Sequence, residues 1–483
     1  MNERVEWKST FYFLMACIGA AVGLGNIWRF PYLFYSGGQG SFMIPYIIAI
    51  LVIGFPFMFV EFAVGYKFKK PVVDIFRSMD KRFKILAWII FIVVFLIMTY
   101  YVVIISWDLD YLFLSFFNGW GANPDLFFTN TLLHTSSSIY GIFEFAPYLL
   151  IGLLVTWVIL WLILSRDLNS GIGRFSAIFV PILFFLCIGL TVYEVFLPGA
   201  SIGYMMFFKP DWRVLGDLNI WLTAFGQVCF TLSLGYTLTI NYASHLPEGT
   251  NLPINTFRII LANCGFEIIN AIGIFSIIGF MSYSSGIPFN NIITEGTGLA
   301  FVALPSIFNV LGTVGRIIGP LFFFAILISG ISSAIACFEP FVDSMESEFN
   351  ISRKKAVTIL IGICFLISLL FTTRASTIIL SYFDFFINNI LVLILIIVQC
   401  VLFGFIYKRN DLIEVLNRNS RFKIMGSWLT FIIKYIIPVV LAILIVYGIY
   451  QLVIDINLVA IVIYISLTLF TIIFALILNH YCD

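Results

Sequence analysis

Apolar positions in this chain come in long runs separated by short polar segments. A helix crossing a bilayer takes about 20 mostly apolar residues, and about twelve runs of that length are present. They centre near residues 22, 53, 99, 155, 185, 230, 270, 330, 362, 392, 440 and 468. The stretch 287–312 is also apolar, but Gly and Pro interrupt it. It reads as an outer re-entrant or capping loop, because irregular backbone is not stable against lipid. The pattern predicts an all-α polytopic membrane protein of about twelve transmembrane helices. One transmembrane domain covers 1–483, with no long soluble domain and no low-complexity linker.

Composition agrees. Apolar residues make up 61% of the 483 positions and charged residues 11%; a water-facing surface draws on roughly 25% charge. The net charge of +1 provides no basic face, which excludes a nucleic-acid partner. Apart from Cys482, the cysteines lie inside apolar runs with no CxxC spacing, so they read as buried hydrophobes. The polar start MNERVEWKST and the long run after it do not fit a removable signal peptide. Lys and Arg concentrate between Lys67 and Lys84, at Arg353–Lys355 and across 408–434, while the outer loop 115–145 has none. Basic loops stay inside, so both termini are expected in the cytoplasm, with the chain in the cell membrane.

Two runs carry breaks. The first reads ACIGAAVGLGNIWRFP, with Gly19, Gly23 and Gly25 followed by Asn26 and Arg29. The sixth reads FGQVCFTLSLGY, with Gln227, Thr231, Ser233 and Gly235. Glycine frees a helix to unwind, and unwound backbone inside a membrane needs a cavity, an ion or a substrate. Paired broken segments five crossings apart are the mark of an inverted-repeat transporter with a midplane site. The Gly19–Gly23 G-x-x-x-G is also a common helix-packing face, and Ser332–Ser333 alone would equally serve packing.

At these residues the chain resembles the neurotransmitter:sodium symporters. The matching stretches are GAAVGLGNIWRFPY, SFMIPYIIAILVIGFP, GQVCFTLSLGY, ISSAIACFEP and ISRKKA, and the resemblance runs from Trp7 to about Lys434. It implies the leucine-transporter fold: a 5+5 inverted repeat over 8–197 and 218–407, helices 1 and 6 broken, and helices 11 and 12 over 428–480. It also implies a sodium-coupled symporter working by alternating access.

Carried over residue by residue, the resemblance implies two sodium ions. The first would meet the carbonyl of Ala21, Asn26, Thr231, Asn263 and the substrate carboxylate. The second would meet the carbonyls of Gly19, Val22 and Ser329 and the hydroxyls of Ser332 and Ser333. The carboxylate of a free amino acid would meet Tyr101 and the amides near Leu24 and Gly25. Its ammonium would meet carbonyls of Ala20, Phe230 and Thr231, with walls from Leu24, Ile97, Phe230, Ser233, Tyr236, Ala336 and Cys337 beside Ser333. Family members that carry monoamines place Asp where Gly23 stands. An uncharged Gly23 and an apolar wall imply a neutral apolar or aromatic amino acid.

Glu267 looks like a built-in replacement for the chloride that other members bind near the equivalents of Tyr46, Gln227 and Thr231, which implies chloride independence. Arg29 and Asp384 are expected as the outer gate, Arg4 and Trp7 as part of the inner one. The acidic partner of the inner gate aligns with Ser347, flanked by Glu346 and Glu348, and a bracing Tyr aligns with His245. Beyond substrate and bilayer, a homodimer is the partner considered. An enzyme is disfavoured: there is no HExxH, no G-x-S-x-G, and the histidines are scattered. A proton-coupled carrier and a non-transporting sensor on the same fold are the competing readings.

Overall fold

The computed structural model describes residues 5–136, 138–294, 296–407, 409–420, 423–424, 426–454 and 457–481. Arg4 and Cys482 lie outside the described residues, and with Arg4 goes one half of the expected inner gate. Among the described residues the chain is helical and has no strand; only isolated bridges pair Gln39 with Pro210 and Phe145 with Thr373. This follows from the composition, because in hydrocarbon a helix satisfies its own backbone hydrogen bonds.

In chain order the helices are α1 (Thr10–Ala21), α2 (Leu24–Ser36), α3 (Gly40–Phe68), α4 (Val72–Met79) and α5 (Lys81–Ser115). Next come α6 (Tyr148–Leu164), α7 (Asn169–Val195), α8 (Ala200–Phe208), α9 (Leu218–Thr231) and α10 (Leu238–Ser244). They are followed by α11 (Leu252–Ser285), α12 (Leu299–Leu311), α13 (Gly315–Phe349), α14 (Arg353–Thr372) and α15 (Ser376–Ile406). The last are α16 (Arg409–Arg418), α17 (Gly426–Ile454) and α18 (Leu458–Tyr481). Polar side chains mark several starts: Ser9 Oγ accepts from the Tyr12 amide at 3.3 Å, and Asn251 Oδ1 from Ile254 at 3.1 Å.

Among the described residues, nine of these helices are long and apolar enough to cross a bilayer, and α1 with α2, bent by 50° at their junction, makes a tenth if the pair is one crossing. The other two expected crossings fall on α6, which is 17 residues long, and on α9 with α10, divided over residues 232–237. The central helices are α5 and α13, which pack along each other and bury 89% and 83% of their most apolar windows. In α18 only 17% is buried, so its apolar side chains form an outer surface suited to lipid.

The interrupted stretch near 287–312 forms α12 and a short turn at Phe289–Asn291. Its Phe301 is fully buried among Trp28, Trp107, Tyr111 and Phe128, and Tyr111 Oη donates to its carbonyl at 3.0 Å. The expected loop is thus helical over Leu299–Leu311, short of a full crossing, and it packs its aromatic side chain against its neighbours.

Candidate functional site

The first break is a change of direction at Val22 and Gly23. It leaves the carbonyls at the end of α1 and the amides at the start of α2 facing a common region, one pole negative and the other positive. Asn26 reaches back across the break, its Oδ1 accepting from the Gly23 amide at 3.0 Å. Tyr101 of α5 lies against the new start, with the Leu24 amide donating to its hydroxyl at 3.3 Å. A side chain at residue 23 would put its Cβ 3.1 Å from that hydroxyl and 3.3 Å from Ser333 Oγ.

Asn26 also ties the two breaks together. Its Nδ2 donates to Thr231 Oγ1 at 3.0 Å and to Asn263 Oδ1 at 2.8 Å. Asn263 Nδ2 donates to the same Thr231 hydroxyl at 3.0 Å. Thr231 then donates to Glu267 Oε1 at 2.8 Å, Gln227 Nε2 donates to that oxygen at 2.9 Å, and Tyr46 Oη donates to Glu267 Oε2. All six residues are fully or almost fully buried. Glu267 is a buried carboxyl group held by three neutral donors, with no ion pair among the described residues, one turn from uncharged amide and hydroxyl oxygens. That donor set fits a hard monovalent cation.

The second break takes a different form. Ser233, Gly235 and Thr237 all hold positive φ, at 48°, 80° and 63°. The unwound backbone is pinned by Glu61, a residue absent from the sequence-derived site. Its Oε1 accepts from the Gly235 amide at 3.2 Å and its Oε2 from Thr239 Oγ1 at 2.6 Å. Gln399 Nε2 donates to the Gly235 carbonyl at 2.8 Å. Glu61 was detectable: it is the one charge in the apolar run FPFMFVEFAVG, and an ionisable residue at membrane depth demands a reason.

Several expected wall residues lie at or near the breaks or are buried. Phe230 lies so close to the first break that a Cβ on Gly25 would come within 2.4 Å of its ring. Leu24, Ile97, Tyr236, Ala336 and Cys337 are all buried, and Ser233 occupies the second break. The hydroxyls of α13 reach α1: Ser333 Oγ donates to the Ala20 carbonyl and Ser329 Oγ to the Val22 carbonyl, both at 2.9 Å. Ser332 Oγ donates to the Ser329 carbonyl at 2.9 Å and stands 3.4 Å from the Cβ position of Gly19. The Ala21 carbonyl ends α1 in the same region.

Arg29 and Asp384 do not meet in a direct ion pair. The Arg29 guanidinium lies 4.6 Å from the centre of the Phe230 ring. Asp384 accepts from Tyr100 Oη at 3.0 Å and from Asn388 Nδ2 at 2.8 Å. Arg29, Phe230, Tyr236 and Asn388 line a cavity of about 180 Å³ above the second break.

At the other end, Trp7 Nε1 donates to the Tyr242 carbonyl at 2.8 Å, and His245 Nδ1 lies 2.7 Å from the Val5 carbonyl. Both candidate acids beside Ser347 are engaged by arginines. Glu348 pairs with Arg77 at 2.5 Å, and Glu346 with Arg353 at 3.4 Å. Arg353 makes its shorter pair, at 2.5 Å, with the buried Glu339.

Two interrupted crossings whose free backbone poles and neutral oxygens share one buried cluster define a secondary transporter. Residues 4–123 and 121–478 match the model of the Sodium:neurotransmitter symporter family. An uncharacterized sodium-dependent transporter of Methanocaldococcus jannaschii is 37% identical over 439 residues, 91% of this chain and 89% of that protein. The sodium- and chloride-dependent creatine transporter 1 of Homo sapiens is 28% identical over 430 residues, 79% of this chain and 67% of that protein. The crystal structure of MhsT in complex with L-phenylalanine matches with a TM-score of 0.78 at 27% identity, over 92% of this chain and 100% of that one. The chain belongs to the sodium:neurotransmitter symporter family, and it is a multi-pass, sodium-dependent membrane transporter, not an enzyme.

Proposed function

We propose that the protein is a symporter that imports neutral apolar or aromatic amino acids with two sodium ions and without chloride. The observation that carries this reading is the Glu267 carboxylate, which accepts from Tyr46, Gln227 and Thr231 at the edge of the Asn26–Asn263 cluster. A fixed negative charge beside a cation site does the work that a bound anion would otherwise do. Substrate polarity follows from Gly23: with no side-chain charge between Tyr101 and Ser333, the ligand brings its own carboxylate to the positive pole of α2. The bound phenylalanine of MhsT is consistent with an aromatic side chain in the Phe230–Tyr236 region.

Asn26, Thr231, Asn263 and the Ala21 carbonyl hold the first sodium together with the substrate carboxylate. Gly19, Val22, Ser329, Ser332 and Ser333 hold the second. Arg29 over Phe230, with Asp384, closes the outward path, and the segment around Trp7 closes the inward one. Segments 8–197 and 218–407 act as the two inverted repeats, and the bundle of crossings 1, 2, 6 and 7 rocks against the rest in the cell membrane, with both termini in the cytoplasm. Bound ligands shift this equilibrium only by their differential affinity for the two states.

The test is uptake of labelled amino acids into proteoliposomes, sodium against potassium, with and without chloride. Sodium-driven, chloride-indifferent accumulation of an apolar or aromatic amino acid is expected. Uptake that requires chloride, or that follows a proton gradient without sodium, would reject it.

A further inference from the structure

A second polar pocket, of about 20 Å³, lies between α2, α7, α11 and α13, apart from the residues assigned above to substrate and sodium. Its polar wall is Thr191, Glu194 and Cys187 of α7 with Asn270 of α11, and the rest is apolar, from residues such as Ile27, Phe266 and Phe322. Glu194 is 4% exposed. Among the described residues, no hydrogen bond and no ion pair reaches its carboxylate. Glycine makes room for it: a Cβ on Gly273 would come within 2.3 Å of Glu194 Oε2 and 2.7 Å of Thr191 Oγ1, so the two oxygens flank one point.

Hydrogen-bond accounting decides what the pocket wants. Thr191 spends its proton on the Ile269 carbonyl at 3.1 Å. Asn270 spends its amide nitrogen on the carbonyls of Asn26 and Ile27, at 3.2 and 2.9 Å. What these groups turn to the pocket is acceptor only: the carboxylate, the hydroxyl lone pairs and the Asn270 amide oxygen. The remaining donor, the Cys187 thiol, is weak and lies 3.9 Å from that amide oxygen. A water molecule would satisfy the lone pairs, but an ionised Glu194 would need a bound cation to balance its charge. One carboxylate among neutral oxygens balances a monovalent cation, whereas a divalent one would leave excess charge at membrane depth.

We propose that Glu194, Thr191 and Asn270 form a third sodium site, additional to the two at the helix breaks. The choice of ion rests on the sodium-coupled reading above; the site itself rests on the pocket. Asn270 links it to the transport cycle, because the carbonyls it holds belong to Asn26 and to the residue after it. An ion in the pocket therefore braces α2 where α2 joins the two breaks. By linkage, ion and substrate each raise the other's affinity by the same factor.

The experiment is equilibrium binding of radioactive sodium to the purified full-length chain at saturating substrate. The variants are Glu194→Gln, Thr191→Val and, as a reference for the first site, Asn26→Ala. The proposal expects Glu194→Gln to bind one sodium fewer than wild type, and Thr191→Val to bind the same ion more weakly. Asn26→Ala should lose a different sodium. An unchanged count in Glu194→Gln, with Asn26→Ala still losing its ion, overturns this site alone. In that case, substrate affinity that varies with pH in wild type but not in Glu194→Gln would show that the carboxyl holds a proton instead. No sodium binding in any form, wild type included, overturns both this site and the coupled-transport reading.

Discussion

Asn26 Nδ2 donates to Asn263 Oδ1 at 2.8 Å, joining the helix that begins at the first break to the long helix that carries Glu267. The same amide donates to Thr231, the last residue before the second break. One side chain thus senses both interruptions. Asn26→Ala should weaken sodium and substrate binding together, by roughly tenfold or more, since one lost buried hydrogen bond is worth about 1 kcal/mol and an orphaned partner about 1–3 more. Sodium titrations with and without substrate check this, and unchanged sodium affinity would remove Asn26 from the ion site.

Glu267→Ser removes the fixed anion but leaves Tyr46, Gln227 and Thr231 as donors facing the gap. Uptake by this variant should fall severely in chloride-free buffer and recover as chloride is added. Equal activity in gluconate and chloride would show that the carboxylate is structural.

Gly25→Ala tests the approach of Phe230. The added Cβ would sit 2.4 Å from the ring, far inside van der Waals contact, so the ring must move from its place under Arg29. Substrate affinity should drop while binding at the second sodium site persists. A variant with wild-type uptake would mean that the ring position does not matter to closure.

Glu61→Ala should destabilise the protein and slow transport, because the Gly235 amide and the Thr239 hydroxyl both lose their acceptor. The expected loss is about 2–4 kcal/mol for two buried hydrogen bonds to a carboxylate. A thermal-melting series in detergent, with Glu61→Gln as the conservative control, measures it. A melting temperature within a degree or so of wild type would refute the anchoring role.

The breaks were legible because glycine and polar residues stand out against apolar runs; the helix at Leu299–Leu311 was not, because Gly and Pro interrupt the stretch that contains it. Sequence also named Asn26, Thr231, Asn263 and Glu267. It did not show their wiring, since which nitrogen faces which oxygen depends on helix rotation. Arg29 and Asp384 illustrate the limit. They are opposite charges at one end of the bundle, but the neighbours each holds, Tyr100 and Asn388 for the acid and the Phe230 ring for the base, depend on helix rotation. Glu61 and Glu194 were visible as letters, but a carboxylate's role depends on what points at it, and those donors and pockets come from segments far away in sequence.

Ser233 and Thr237 are side-chain-bearing residues held in the left-handed region, a conformation that costs about 1–2 kcal/mol at each L-residue. Glu61 and Gln399 clamp the glycine between them from opposite sides. The second break is thus a wound spring with its catch on neighbouring helices, whereas the first is a short elbow. Were α3 or α15 to move away, this strained segment would lose the acceptor and donor that hold it.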